Sequence, residues 1–174
     1  YEQQQKQSRE SSALLEMNRA IGRHLDRDEL FGAIATTLRN VLPTDRFGIE
    51  IPLEGNRLRG HLLTPREGKV EPTQPHVLPA EGTVCDWVLR NSEWLVLGSR
   101  EELRKRFPIT HQVMTRENVE SLCALPLITD KRCRAVLFFM ATDVDAYAGV
   151  PRDLLDQVAS GVAVALDHCV AHEE

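Results

Sequence analysis

The sequence has no run approaching the 18 apolar residues of a membrane span, and no secretory leader pattern. It lacks a basic excess: the net charge is −5. Holding nucleic acid requires clustered Lys and Arg to neutralise phosphates, so no direct nucleic-acid contact is expected. None of the four cysteines, Cys85, Cys123, Cys133 and Cys169, forms a Cys-x-x-Cys pair. A tight hairpin at 129–132 would set Cys133 opposite Ile128, not opposite Cys123, so reduced thiols and a cytoplasmic location are expected. Catalytic signatures are missing too. There is no Ser-His-Asp pattern in motif context, no glycine loop to cradle phosphate, no paired-carboxylate signature and no strong metal motif, which favours a protein that is not an enzyme.

What is present fits one soluble domain spanning 1–174. A length of 174 residues suffices for a sizeable core, and the 42% hydrophobic and 27% charged content is ordinary for a globular chain. Residues 1–11 read as a frayed helix start or a linker. Both ends fall in helical patterns, so the chain reads as a piece excised from a longer protein. From Ser12, Leu14, Leu15, Met17, Ala20, Ile21 and Leu25 outline an amphipathic helix. Asp26 and Glu29 form a capping-box pattern for a second helix, carrying Leu30, Phe31, Ile34, Leu38, Val41 and Leu42 and ended by Pro43. In RFGIEIPL, Phe47, Ile49, Ile51 and Leu53 alternate with polar or small residues, predicting a strand with one apolar face. EGN at 54–56 turns the chain, and RLRGHLLT returns as its partner.

Residues 65–79 hold four of the nine prolines and read as a loop with a short strand at Val77–Leu78. Thr83 is the expected cap of a helix carrying Val84, Trp87, Val88 and Leu89, with Asp86 at its positive end. WLVL at 94–97 predicts a buried strand, and Ser99 is expected to cap a charged helix, REELRKRF. Residues 108–119 read as a loop with one helical turn. The apolar stretches 120–129 and 133–141 predict a hairpin. Pro151 marks the first turn of a final helix with the stripe Leu154, Leu155, Val158, Ala159, Val162, Ala163, Leu166 and Val170. Successive hairpins imply a largely antiparallel sheet.

This order of elements resembles the GAF domain family from about Leu14 to Val170. The resemblance is carried by RDELFGAIATTLRNVLPTDRFGIEI, EGTVCDWVLRNSEWLVL, ESLCALPLITDKRCRAVLFF and DLLDQVASGVAVALDHC. These blocks are most similar to the sensory domains placed ahead of the ATPase in sigma-54-dependent bacterial transcription activators. The chain departs from the family pattern at Arg134–Ala135–Val136, where a glycine is common. It also lacks the Asn-Lys-x-Asp-type signature of cyclic-nucleotide GAF domains and the cysteine context of bilin-binding phytochromes, which demotes those ligands. The resemblance implies an α+β fold: a central antiparallel sheet, N- and C-terminal helices on one face, and a helix-and-loop layer over the other.

It also implies a small-molecule site between the sheet and that second layer. The residues expected to line it are His61, Trp87, His111, Arg116, Cys123 and Phe138. Trp87 equally reads as core, and Arg116 as a solvated loop charge. Arg116 would pair an anionic group through its planar donor fork. His168 and His172 stand four apart on one helix face, a chelating spacing that nothing else in the sequence completes, so no metal is expected and the cofactor stays unknown. Cys85 sits at a helix start that would acidify a thiol, but Asp86 opposes this and a small buried hydrophobe is the plainer role. The expected function is a cytoplasmic sensor that binds an effector and biases an attached output domain through its terminal helices, in a homodimer. Two alternatives stand beside it: a ligand-free dimerisation and relay module whose pocket is filled by Trp87, Phe138 and Phe139, and a thiol-dependent reductase using Cys85 and Cys123.

Overall fold

A computed structural model describes Ile34, Thr36 and residues 38–66, 69–72 and 76–173, with side chains described except at 63–66, 69–72 and 168–173. The amphipathic stretch at 14–25, the capping box at 26–29 and the side chains of His168 and His172 lie outside the described residues. The chain forms one sheet from β1 (Arg46–Leu53), β2 (Arg57–Arg66), β3 (Lys69–Pro72), β4 (His76–Pro79), β5 (Leu95–Leu97), β6 (Ser121–Thr129) and β7 (Arg132–Ala141). The order is β3-β2-β1-β7-β6-β5, with β4 also paired to β2, and every pairing is antiparallel. The helices are α1 (Val84–Asn91), α2 (Arg100–Leu103), α3 (Pro108–Glu117) and α4 (Arg152–Glu173).

The β6–β7 hairpin lies inside the sheet and organises it. Both strands are apolar at successive residues because both faces are covered. Leu125, Leu127, Leu137 and Phe139 point to one core, shared with Phe47 and Ile49 of β1, Leu155, Val158 and Val162 of α4, and the helical residues Ile34 and Leu38. Leu122, Ala124, Val136, Phe138 and Met140 point to the other, shared with Val84, Cys85 and Val88 of α1, Leu103, Phe107 and Met114. A register shift after Leu127 sets Ile128 opposite Cys133, and Asp130 and Lys131 make the turn with positive φ. Cys85, Cys123 and Cys133 are free thiols.

Two segments differ from the sequence expectation. The proline-rich stretch is mostly strand: β4 contains the short strand expected at Val77–Leu78, but β2 also continues to Arg66, and β3 attaches to its outer edge as β4 does. Edge strands tolerate proline because its missing N–H leaves no ladder partner unsatisfied. Residues 108–117 form a ten-residue helix, not a loop. Pro108 at its start has the φ a first turn needs, and Asn118, at φ 56°, closes it in the left-handed conformation, donating to the Met114 and Thr115 carbonyls. The charged helix after Ser99 stops at Leu103, and Ser99 makes no side-chain cap. Pro151 stands one residue before α4, where its carbonyl accepts from Leu155 N–H.

The second layer is pinned at the start of α1. The Thr83 hydroxyl accepts from Asp86 N–H at 3.1 Å and donates to the Ala80 carbonyl at 2.6 Å. Val84 N–H donates to Thr110 Oγ1 at 3.0 Å, and Ile109 N–H to the Gly82 carbonyl at 3.0 Å, so the first turns of α1 and α3 are tied together. Thr83 is buried, so Thr83→Ala strands a helix N–H away from water. It is expected to cost about 1 kcal/mol in urea denaturation, and a change indistinguishable from zero would refute the cap.

Candidate functional site

The sheet face beneath α1 and α3 is built from alternate residues of β1, β2 and β7. On β1 these are Gly48 and Glu50, which pair across with Leu62 and Gly60 of β2 and with Phe138 and Val136 of β7. Two glycines lie in this floor, and each has a ring over it. A Cβ on Gly48 would stand 2.2 Å from Phe138 Cζ and 2.8 Å from the His61 carbonyl; one on Gly60 would stand 2.7 Å from His76 Nε2. The two positions accept no side chain because the rings of Phe138 and His76 already occupy that space.

Between the glycines lies a carboxylate. Burial pushes Glu50 up to about 6, opposed by a weak hydrogen bond from the Cys85 thiol. Among the described residues its Oε2 is shut off from solvent and has no hydrogen-bond partner. Cys85 is driven well above the usual thiol range, first by burial and then by the Glu50 charge. It is therefore a neutral thiol, the reverse of an activated nucleophile. His76 is lowered by burial and by the Arg116 charge, with Glu117 acting in the opposite sense.

The six residues singled out from sequence divide between the two faces. Phe138 is in the floor, and Trp87 on α1 packs at the border of the same core with Arg106 over its ring at 5.3 Å. His111 is half-buried on α3, beside the buried Thr110. Arg116, near the end of α3, is 68% exposed and pairs with Glu117, which also binds Arg46 at 3.2 Å. Phe138 in the floor and the other three on the helices above it belong to the same side of the sheet. His61 and Cys123 do not join them, because strand alternation turns both to the α4 side: His61 pairs across with Ile49, and Cys123 with Phe139. Cys123 is raised to about 12 by burial there.

Glu50, His76, Gly48 and Gly60 were not expected from the sequence. The available signal was the two-sided apolarity of β7. A strand paired to its buried part is partly covered on both faces, which buries Gly48 and half-buries Glu50 among the out-of-phase residues of β1. Two open cavities lie elsewhere. One of about 200 Å³, lined by Ile51, Leu127, Arg134 and Leu166, is on the α4 side. The other, of about 240 Å³, lies at the β6 edge beside Trp94, Pro126 and Asp156. Among the described residues no cluster of three or more His, Cys, Asp or Glu is placed to hold a metal, and no helix is long and apolar enough to cross a membrane.

Comparison with known proteins agrees with this architecture. The chain is 26% identical over 178 residues to the formate hydrogenlyase transcriptional activator of Salmonella typhimurium strain LT2, an alignment covering 92% of this chain and 24% of that protein. It is 25% identical over 175 residues to the Escherichia coli K12 protein of the same description, again covering 92% of this chain and 24% of that one. The chain thus spans about a quarter of the length of these relatives. Among solved structures, a free methionine-R-sulfoxide reductase from Neisseria meningitidis superposes with a TM-score of 0.71 at 13% identity, over 94% of this chain and 91% of that one. The GAF domain of a two-component sensor histidine kinase from Bacillus halodurans superposes with a TM-score of 0.67 at 14% identity, over 87% and 100%. At such identities the likeness is one of fold. The family model described as GAF domain matches residues 24–167, and the chain belongs to the GAF domain family.

Proposed function

We propose that this chain is the sensory domain of a larger cytoplasmic regulator, in which a small molecule bound beneath α1 and α3 biases an attached output domain. The observation that carries this is the floor around Glu50: a half-buried carboxylate whose Oε2 is shut off from solvent without a hydrogen-bond partner among the described residues, between two glycines covered by the rings of Phe138 and His76. A stability-driven core has little reason to hold such a group, whereas binding sites regularly do. Trp87, His111, Arg116 and Phe138, together with Glu50, Cys85 and His76, are the proposed lining. The relatives that are transcriptional activators support an output in transcription, of the sigma-54-dependent kind that the sequence blocks resemble.

In this reading the domain performs no chemistry of its own. A reductase working through Cys85 and Cys123 is disfavoured because the two thiols face opposite sides of the sheet and burial raises both. A homodimer through the terminal helices is part of the proposal, and Val164, 50% exposed on α4, supplies apolar surface for it.

The second reading is a ligand-free relay module, favoured by the rings of Phe138 and His76 over both glycines. Thermal-shift screening against a metabolite panel separates the two. A ligand present at about 100 times its Kd is expected to add about 2.7 kcal/mol of stability, growing with concentration. A panel with no concentration-dependent shift in either the wild-type chain or a Phe138→Leu variant would sustain the relay reading and defeat the sensor.

A further inference from the structure

We infer that the site beneath α1 and α3 selects a small flat molecule carrying a cationic nitrogen donor, which hydrogen-bonds Glu50 Oε2 while its apolar body takes the place of the Phe138 ring over Gly48. The inference deepens the sensor reading and rests on it. Three observations carry it. Glu50 is half-buried, and among the described residues its Oε2 is shut off from solvent and offers an acceptor without a hydrogen-bond partner. The polar group facing it is the Cys85 thiol, a weak neutral donor that does not offset the charge. The space over Gly48 is held by the Phe138 ring, beside the His61 carbonyl and with apolar Leu62 and Val136 alongside.

The same geometry rejects an anion. A carboxylate or phosphate placed on this floor would meet Glu50 at close range, where like charges repel strongly in a dry site. The basic side chain that acts on the site's rim, Arg116, is largely exposed and engaged by Glu117. His76 is held toward its neutral form. A cationic donor instead neutralises the buried charge and gains a charge-assisted hydrogen bond.

Benzamidine, benzoate and toluene are matched probes: one flat ring with a cationic donor, an anion or neither. Titrations by calorimetry and by ligand-observed NMR would use the wild-type chain, Phe138→Leu to loosen the ring, and Glu50→Gln in both backgrounds. Near-UV circular dichroism would establish that each variant is folded. Benzamidine is expected to bind Phe138→Leu at least tenfold more tightly than benzoate, and Glu50→Gln to weaken it at least tenfold. Equal binding of benzamidine and benzoate, a preference for benzoate, or a benzamidine preference that survives Glu50→Gln would overturn the assignment while leaving a binding pocket in place. Toluene binding that Glu50→Gln leaves unchanged, without any gain for benzamidine, would do the same. Failure of all three probes to bind folded Phe138→Leu would overturn the pocket itself.

Discussion

Phe139→Ala is expected to lower the stability of the domain by about 3–5 kcal/mol, more than any other single change considered. Phe139 is fully buried on β7, at the middle of the core shared with α4. Its ring stands 5.4 Å from that of Phe47 on β1, tilted by 44°, a favourable aromatic pairing across neighbouring strands. It faces Cys123 on the other neighbour, β6. Truncation removes this contact from three strands at once, and the strands cannot close the gap because their spacing is fixed by ladder hydrogen bonds. Since domains are stable by only about 5–15 kcal/mol, such a loss would consume roughly a fifth or more of the total. Urea unfolding followed by tryptophan fluorescence measures it. Val77→Ala serves as the control: Val77 is 52% exposed, and its change should stay within about 0.5 kcal/mol. Similar midpoints for the two variants would mean that the interior is not organised around this ring.

Glu50→Gln is expected to stabilise the fold by about 2 kcal/mol at pH 7.5 and to change it little at pH 4.5. Burial moves the carboxyl from 4.5 to about 6. Between those values the folded chain holds the proton more tightly than the unfolded chain does. For this group alone, stability is therefore fully present below pH 4.5 and is lost as the pH rises through 6. Glutamine cannot ionise, so the variant should lack this decline. His76 acts in the opposite sense: its lowered basicity favours the fold above its ordinary range and is lost as the pH falls. Because both proteins retain His76, the difference between their stability curves isolates Glu50. Curves running parallel from pH 4.5 to 7.5 would show that the carboxyl is not held in a dry environment. A gain of stability on losing a charge would also fit a residue kept for binding, since natural sites commonly hold groups that folding alone would not favour.

The parts of the fold readable from sequence were those with strong periodicity or strict turn chemistry. The β6–β7 hairpin was legible from two apolar runs around a polar turn, down to the pairing of Ile128 with Cys133. The α1 cap was legible because a threonine three residues before Asp86 has little else to do. The α3 helix was missed because its apolar residues are sparse, so its helicity rests on Pro108, the Asn118 cap and docking against α1 more than on its own pattern. β4 was legible as the short strand at Val77–Leu78, whereas β3 and the end of β2 were obscured by prolines that only an edge tolerates.

For the candidate site, side-chain type was a poor guide and strand parity a better one. His61 and Cys123 carry suitable chemistry, yet alternation turns them to the α4 side. Glu50 was read only as one of the residues alternating with the apolar face of β1, although its partner on β7, Val136, lies in a run buried from Ala135 to Ala141. His76 could not have been found, because nothing local fixes which edge β4 joins or that its ring comes to rest over Gly60.

β5 pairs with β6 only through Leu122–Ala124, yet the stretch just beyond it is covered: Leu125, Pro126 and Leu127 are buried, and Ile128 is the first exposed residue. The backbone that β5 leaves unpaired there lies under side chains, so a stray strand from another molecule finds little to grip. Concentrated solutions of the folded domain should accordingly resist fibre formation at this border.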